Sequence, residues 1–155
     1  MKKIIILAFC CAASLHAVSQ SKWQIDATKS NIKFTIDGPF GIDVDGTLGS
    51  PKGIIVFDAS KLESSSFNIS MDPNTIFTDN RKRDEHLKKS EFLDVSKYKV
   101  IAFTSTRIQK DGDKLTLTGS LSMKDKTLVV KIPFTFTKSG SVGHWKGEFK
   151  LNRLN

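Results

Sequence analysis

The chain has 155 residues, enough for one domain with a real hydrophobic core and too few for two. Its formal charge of +8 would suit a polyanionic partner. Along the strands, however, the basic residues are scattered as single positions interleaved with acids, which argues against a nucleic-acid surface and predicts no nucleic-acid partner.

Lys2 and Lys3 make a basic start, Ile4 to Ala13 an apolar run, and Ala17-Val18-Ser19 a small-x-small site of the kind that signal peptidase reads. This predicts a signal peptide over residues 1–19, cleavage near Ser19 and a periplasmic or secreted mature domain over 20–155. The apolar run is about half the ~20 residues a spanning helix needs. Cys10 and Cys11 both lie in that leader, so the mature domain is expected to fold without disulfides despite an oxidising destination. Phe9 before Cys10 departs from the small residue that usually precedes a lipidated cysteine.

Beyond the leader the chain reads as strand after strand. Trp23 and Ile25 open an alternation, and Ile32, Phe34 and Ile36 alternate with polar residues until Gly38-Pro39 stops them. Ile42, Val44 and Leu48 continue around Gly46, where the missing side chain predicts a bend or bulge. Gly49-Ser50-Pro51 turns or kinks the chain before Ile55 and Phe57. Phe67, Ile69 and Met71 share one face and end at Asp72-Pro73-Asn74.

Residues 81–98 break the pattern. Leu87, Phe92 and Tyr98 stand amid charges, which predicts a short helical crossover from about Asn80 to Lys89, with Ser90 capping a second turn. From Lys99 a meander follows: Ile101 and Phe103, a turn at Lys110-Asp111-Gly112-Asp113, then Leu115, Leu117, Leu121 and Met123. Leu128 to Phe136 alternate over the longest run, with Pro133 on the opposite face hinting at an edge or a bulge. Trp145 to Leu151 make the final strand. About eight antiparallel strands, each with one apolar face, must close into a barrel or pack as two sheets.

Catalytic signals are sparse. The mature domain holds two histidines, His86 and His144, far apart and with no cysteine beside them, so a zinc or nucleophilic constellation lacks members. No phosphate loop or nucleophile elbow is present, and neither a cofactor, a metal nor catalytic residues are expected. Arg83, Asp84 and His86 read best as groups that tie the crossover to the barrel by hydrogen bonds, with Leu87 packed beneath it. Eleven Phe against a single Tyr give an interior rich in rings and poor in hydroxyls. Plain core and a lipid pocket would be built from the same residues.

Several blocks carry a resemblance: Trp23-x-Ile25-Asp26, Ser30-x-Ile32-x-Phe34, Gly53-x-Ile55-x-Phe57-Asp58, Arg83-Asp84-x-His86-Leu87, Ser90-x-x-Phe92-Leu93-Asp94, Lys97-Tyr98, Ile101-x-Phe103-x-Ser105 and Gly119-x-Leu121. From Trp23 to the C-terminus the chain resembles the YceI-like family of exported bacterial proteins. Lys99 replaces that family's usual Pro, Leu93 replaces its commoner second Phe, and Leu151-Asn152-Arg153-Leu154-Asn155 matches only the beginning of its ending, so a closing C-terminal strand is expected to be missing. The resemblance implies an all-β, lipocalin-like antiparallel barrel that holds an isoprenoid lipid or isoprenoid quinone without catalysis, with transient membrane contact as a further expectation. The expected lining, taken from the apolar strand faces, is Phe34, Ile36, Phe57, Phe67, Ile69, Ile101, Phe103, Leu117, Phe134 and Phe136. Two readings stay beside it: a hydrolase using Asp84 and His86, and a barrel that acts only in protein contacts.

Overall fold

Alternating sequences make strands, and the computed structural model shows where each apolar face goes. It describes residues 21–36 and 43–151. The leader, the Gly38-Pro39 stop, Ile42 and the last four residues lie outside the described residues.

Nine strands are present among the described residues, with one α-helix, α1 (Arg81–Leu87). They are β1 (Ser21–Gln24), β2 (Ile32–Ile36), β3 (Val44–Leu48), β4 (Lys52–Phe57), β5 (Ser66–Met71), β6 (Ile101–Asp111), β7 (Lys114–Met123), β8 (Lys126–Ser139) and β9 (Val142–Gly147). Seven form one antiparallel sheet in the order β1-β4-β5-β6-β7-β8-β9, and β2 and β3 form a separate hairpin. From β4 onward, chain neighbours are sheet neighbours, as short connections require. The sheet curls until its two outer strands meet inside: the Trp23 ring of β1 lies 5.3 Å from the Trp145 ring of β9. The result is a nearly closed barrel, with a core of Ile55, Phe57, Phe67, Phe103, Ile108, Leu117, Val130 and Phe134.

Several local expectations are corrected by packing. Of the two readings of Gly49-Ser50-Pro51, the turn holds: the chain leaves the hairpin at Ser50, whose φ of 53° turns the corner, and enters the main sheet as β4. Gly46 makes no bend. It sits in register opposite Phe34, and a Cβ there would collide with the Phe34 ring, so the glycine clears room for an aromatic neighbour. The bulge falls instead between Ser105 and Arg107 of β6. Pro133 lies in an inner strand, yet its carbonyl accepts from Glu148 N at 3.3 Å, beyond the last pair of β9. In an antiparallel ladder a residue's N–H and C=O point to the same side, so the missing donor falls where the neighbouring strand has ended.

Three hairpin turns are tight: two-residue loops separate the last pairs Asp111 and Lys114, Met123 and Lys126, and Ser139 and Val142. The left-handed conformations they need fall on Gly112, Lys124 and Gly140. Among the described residues, the outer edges of β2 and β9 have no strand partner. β9 stops at Gly147, short of the Leu151 predicted from the alternation, and Phe149 and Leu151 are left exposed.

Candidate functional site: the barrel interior and the crossover

Phe57, Phe67, Phe103, Leu117 and Phe134 all belong to the buried core, and Ile69 and Phe136 pack against it half-buried. Ile101 is buried as well. Phe34 and Ile36 are half-buried on the separate hairpin, away from that core cluster. The alternation therefore identified the inward positions of the sheet, but could not tell that one strand pair would leave it.

The interior is organised around Phe57. Its ring meets Phe136 at 4.8 Å, Phe134 at 6.0 Å, Phe67 at 6.2 Å and Trp145 at 6.3 Å, all edge-on, the arrangement that ring quadrupoles favour. Trp23 and Trp145 join this cluster and were absent from the predicted lining, although each stands on the apolar face of an alternating run. Among the described residues the only buried polar or charged side chains are Thr78 and Asp84, and both belong to the crossover. Two indole nitrogens, Nε1 of Trp23 and of Trp145, are buried without a hydrogen-bond partner.

The crossover is held by a compact polar network. Asn80 caps α1 by accepting from Arg83 N at 3.1 Å. Asp84 Oδ1 accepts from both the Thr78 hydroxyl (2.6 Å) and Thr78 N (2.9 Å). Arg83 Nε donates to the same hydroxyl at 2.8 Å, and its NH2 group to Thr78 O at 2.7 Å. The adjacent Phe77 is bound to Thr47 of β3 by two backbone hydrogen bonds of 2.8 and 3.0 Å, so the network anchors the helix to the hairpin. His86 behaves differently from expectation. Exposed on α1, it meets Phe92 edge-on at 4.9 Å, while Thr78 receives hydrogen bonds from Arg83 and donates to Asp84. Leu87 is half-buried, and its carbonyl accepts from Leu93 N at 3.0 Å.

Ser90 caps nothing: its hydroxyl donates to Glu91 at 3.3 Å, and the segment after α1 is a series of turns rather than a second helix. An open cleft of about 700 Å³ lies along this segment, lined by residues including Glu85, Lys88, Glu91, Asp94 and Lys99. Its charges are engaged locally, Lys88 with Glu85 at 3.2 Å and Lys99 with Val95 O at 2.8 Å. For the Asp84 and His86 hydrolase reading, the geometry is unfavourable. Two residues apart on a helix, their side chains face different ways, and Oδ1 of Asp84 is already bonded twice to Thr78. No cluster of three or more metal-ligating side chains occurs among the described residues.

A YceI-like domain profile matches residues 23–155. The chain belongs to the YceI-like family. Curated relatives include a UPF0312 protein of Pectobacterium atrosepticum, 36% identical over 87 residues that make up 56% of this chain and 45% of that protein. Protein YceI of Salmonella arizonae is 34% identical over 87 residues, 56% and 46% of the two chains. The match thus spans under half the length of these relatives. Among solved structures, Burkholderia cenocepacia BcnA superposes with a TM-score of 0.73 over 79% of this chain and 77% of its own, at 21% identity. A Campylobacter jejuni YceI protein gives 0.59 over 75% and 68%, also at 21% identity. At such identity the likeness concerns the fold, which in this YceI-like chain is the curled sheet with its apolar interior. Family and fold agree on a barrel.

Proposed function

We propose that this YceI-like protein is an exported, non-enzymatic carrier or store for an isoprenoid lipid, held on the concave side of the seven-stranded sheet. The observation that carries the reading is the chemistry of that side: a ring-lined interior from which buried charge is absent among the described residues. A long unbranched or methyl-branched hydrocarbon needs no polar partners there. Each CH₂ it buries is worth about 0.8 kcal/mol, so a few isoprene units suffice for tight binding. The ligand would insert between rings that now touch one another, exchanging ring–ring contacts for ring–chain contacts of similar dispersion energy. Lysines scattered over the polar strand faces would favour brief contact with an anionic membrane surface during loading.

Organic extraction of protein purified from the exported fraction, followed by mass spectrometry, tests this directly. An isoprenoid recovered in near-stoichiometric amount is the expected result. Extracts free of isoprenoid, together with no saturable binding of squalene or a short-chain ubiquinone by the delipidated protein, would remove the proposal.

A further inference from the structure

The cations of this chain read as interleaved with acids along the sequence, but the strand boundaries separate the two signs. The seven strands of the main sheet carry nine lysines and arginines and a single acid, Asp111, the last residue of β6. The other acids among the described residues lie on the hairpin, in the crossover, and in the segments that connect or follow the strands. Soluble surfaces normally mix the signs, so the barrel wall is unusual in holding cations almost alone.

The separation has its clearest geometry on β6 to β9. Arg107, Lys131 and Lys146 are exposed on the outer side, because their neighbours Ile108, Val130, Ile132 and Trp145 belong to the core cluster or pack against it. Thr118 is in register with both Arg107 and Lys131, which sets those cations two strand spacings, about 10 Å, apart. Lys146 is in register with Thr135, which lies about 13 Å along β8 from Lys131. None of the three has an ion pair: the salt bridges among the described residues join Lys29 to Asp26 and Lys88 to Glu85. A shallow groove of about 390 Å³ runs over this face, lined by Gln109, Lys110, Asp111, Thr116, Thr118 and Lys131. Val129, two places before Lys131 on the same outer side, is 75% exposed, the most open large apolar side chain among the described residues.

We infer that the outer face of β6–β9 docks on an anionic lipid surface. Headgroup phosphates lie against Arg107, Lys131 and Lys146 and take hydrogen bonds from the threonine hydroxyls between them, while Val129 enters the boundary with the acyl chains. Unpaired cations of one sign, spaced singly across a wall, complement a layer of separate anionic headgroups. A nucleic acid fits this face less well, since no Phe, Tyr or Trp stands on the outer positions of β6–β9 for a base to stack on. The brief membrane contact proposed above thereby acquires a face and a lipid charge, but the inference stands on the wall itself and holds whatever the interior carries.

The test is cosedimentation of the mature protein with vesicles of phosphatidylglycerol and phosphatidylcholine mixed one to two, set against vesicles of phosphatidylcholine alone. Binding should be confined to the anionic vesicles and should fade as salt is raised. Each cation near such a surface is worth on the order of fivefold in partition, so the combined variant Arg107→Gln, Lys131→Gln, Lys146→Gln should bind about a hundredfold more weakly. Val129→Ser should lose a few-fold, and Arg107→Lys, which keeps the charge, should bind as wild type. All four side chains are exposed, so melting temperatures should not move. Lys82→Gln, Lys89→Gln, Lys99→Gln together remove the same charge from the crossover and should change binding far less. Equal losses in the two triple variants would reduce docking to net charge, and equal binding to both kinds of vesicle would leave the cations without a role. Tighter binding to a single-stranded oligonucleotide than to anionic vesicles would assign the face to nucleic acid. Each of these outcomes overturns the inference without touching the isoprenoid reading, which is decided by the lipid extracted from the interior.

Discussion

Replacing Asp84 by alanine should destabilise the fold without touching the barrel interior. One carboxylate oxygen accepts from both the hydroxyl and the backbone N–H of Thr78, at 2.6 and 2.9 Å, and both residues are more than nine-tenths buried. The variant leaves Thr78 N without a partner. Its hydroxyl keeps only the Arg83 donor, which it receives as an acceptor, and so loses a place for its own proton. A buried donor stranded in this way costs about 1–3 kcal/mol, and hydrogen bonds to a charged group contribute about 1.5–3 kcal/mol each. Because the segment is short and can relax, about 3 kcal/mol in total is the expected loss. For a domain of this size that corresponds to a fall of roughly 10 °C in Tm. Differential scanning calorimetry on wild type, Asp84→Ala and Asp84→Asn measures it, with the asparagine, which keeps an acceptor oxygen, expected to lose about half as much. Affinity of the still-folded variant for a short-chain ubiquinone should match wild type. An Asp84→Ala protein that melts within about 2 °C of wild type would refute the anchoring role, and one that loses binding at unchanged stability would place Asp84 in a site.

Phe57→Ala should cost about 3–5 kcal/mol, since the ring at the centre of the cluster leaves a cavity among four aromatic neighbours; chemical denaturation reads it, and a loss below about 1 kcal/mol would mean the cluster collapses to fill the gap. Gly53→Ala should be worse than Gly46→Ala, because at φ 148° a Cβ on residue 53 meets the Asn68 backbone, whereas on residue 46 it meets the end of the Phe34 ring, which can swing away; equal melting temperatures would contradict this. Hydrogen bonds from the Ser60 hydroxyl and Ser60 N hold the Asp58 carboxyl below its ordinary 3.8. Its contribution is therefore complete above that value and is lost as pH falls through the lower folded one, so Asp58→Asn should flatten the acid limb of stability against pH. Carboxyl NMR showing Asp58 titrating at or above 3.8 would argue otherwise. The edges of β1, β2 and β9, without a strand partner among the described residues, predict concentration-dependent association by strand pairing; sedimentation that shows a monomer throughout a concentration series would remove that expectation.

Strand identity in this protein was a local property. A residue's side of a strand follows from its parity, so the inward placement of Phe57, Phe67, Phe103, Leu117 and Phe134 could be read from alternation alone. The meander was legible for the same reason, since short polar turns leave antiparallel pairing as the only geometry that closes. Alternation says nothing about which sheet a strand joins. That β2 and β3 with Phe34 and Ile36 stand apart from the main sheet depends on where the chain turns at Ser50 and on what the far side of β3 meets, namely Phe77, thirty residues on from Thr47. Likewise Gly46 and Pro133 were read as defects of their own strands, while each is explained by a neighbour: a ring that needs the space, and a strand that has already ended. The two buried indole nitrogens lay furthest from the sequence. Whether an N–H is wet or orphaned depends on where the ring edge points once β1 and β9 have been brought face to face, and only closure of the barrel decides that.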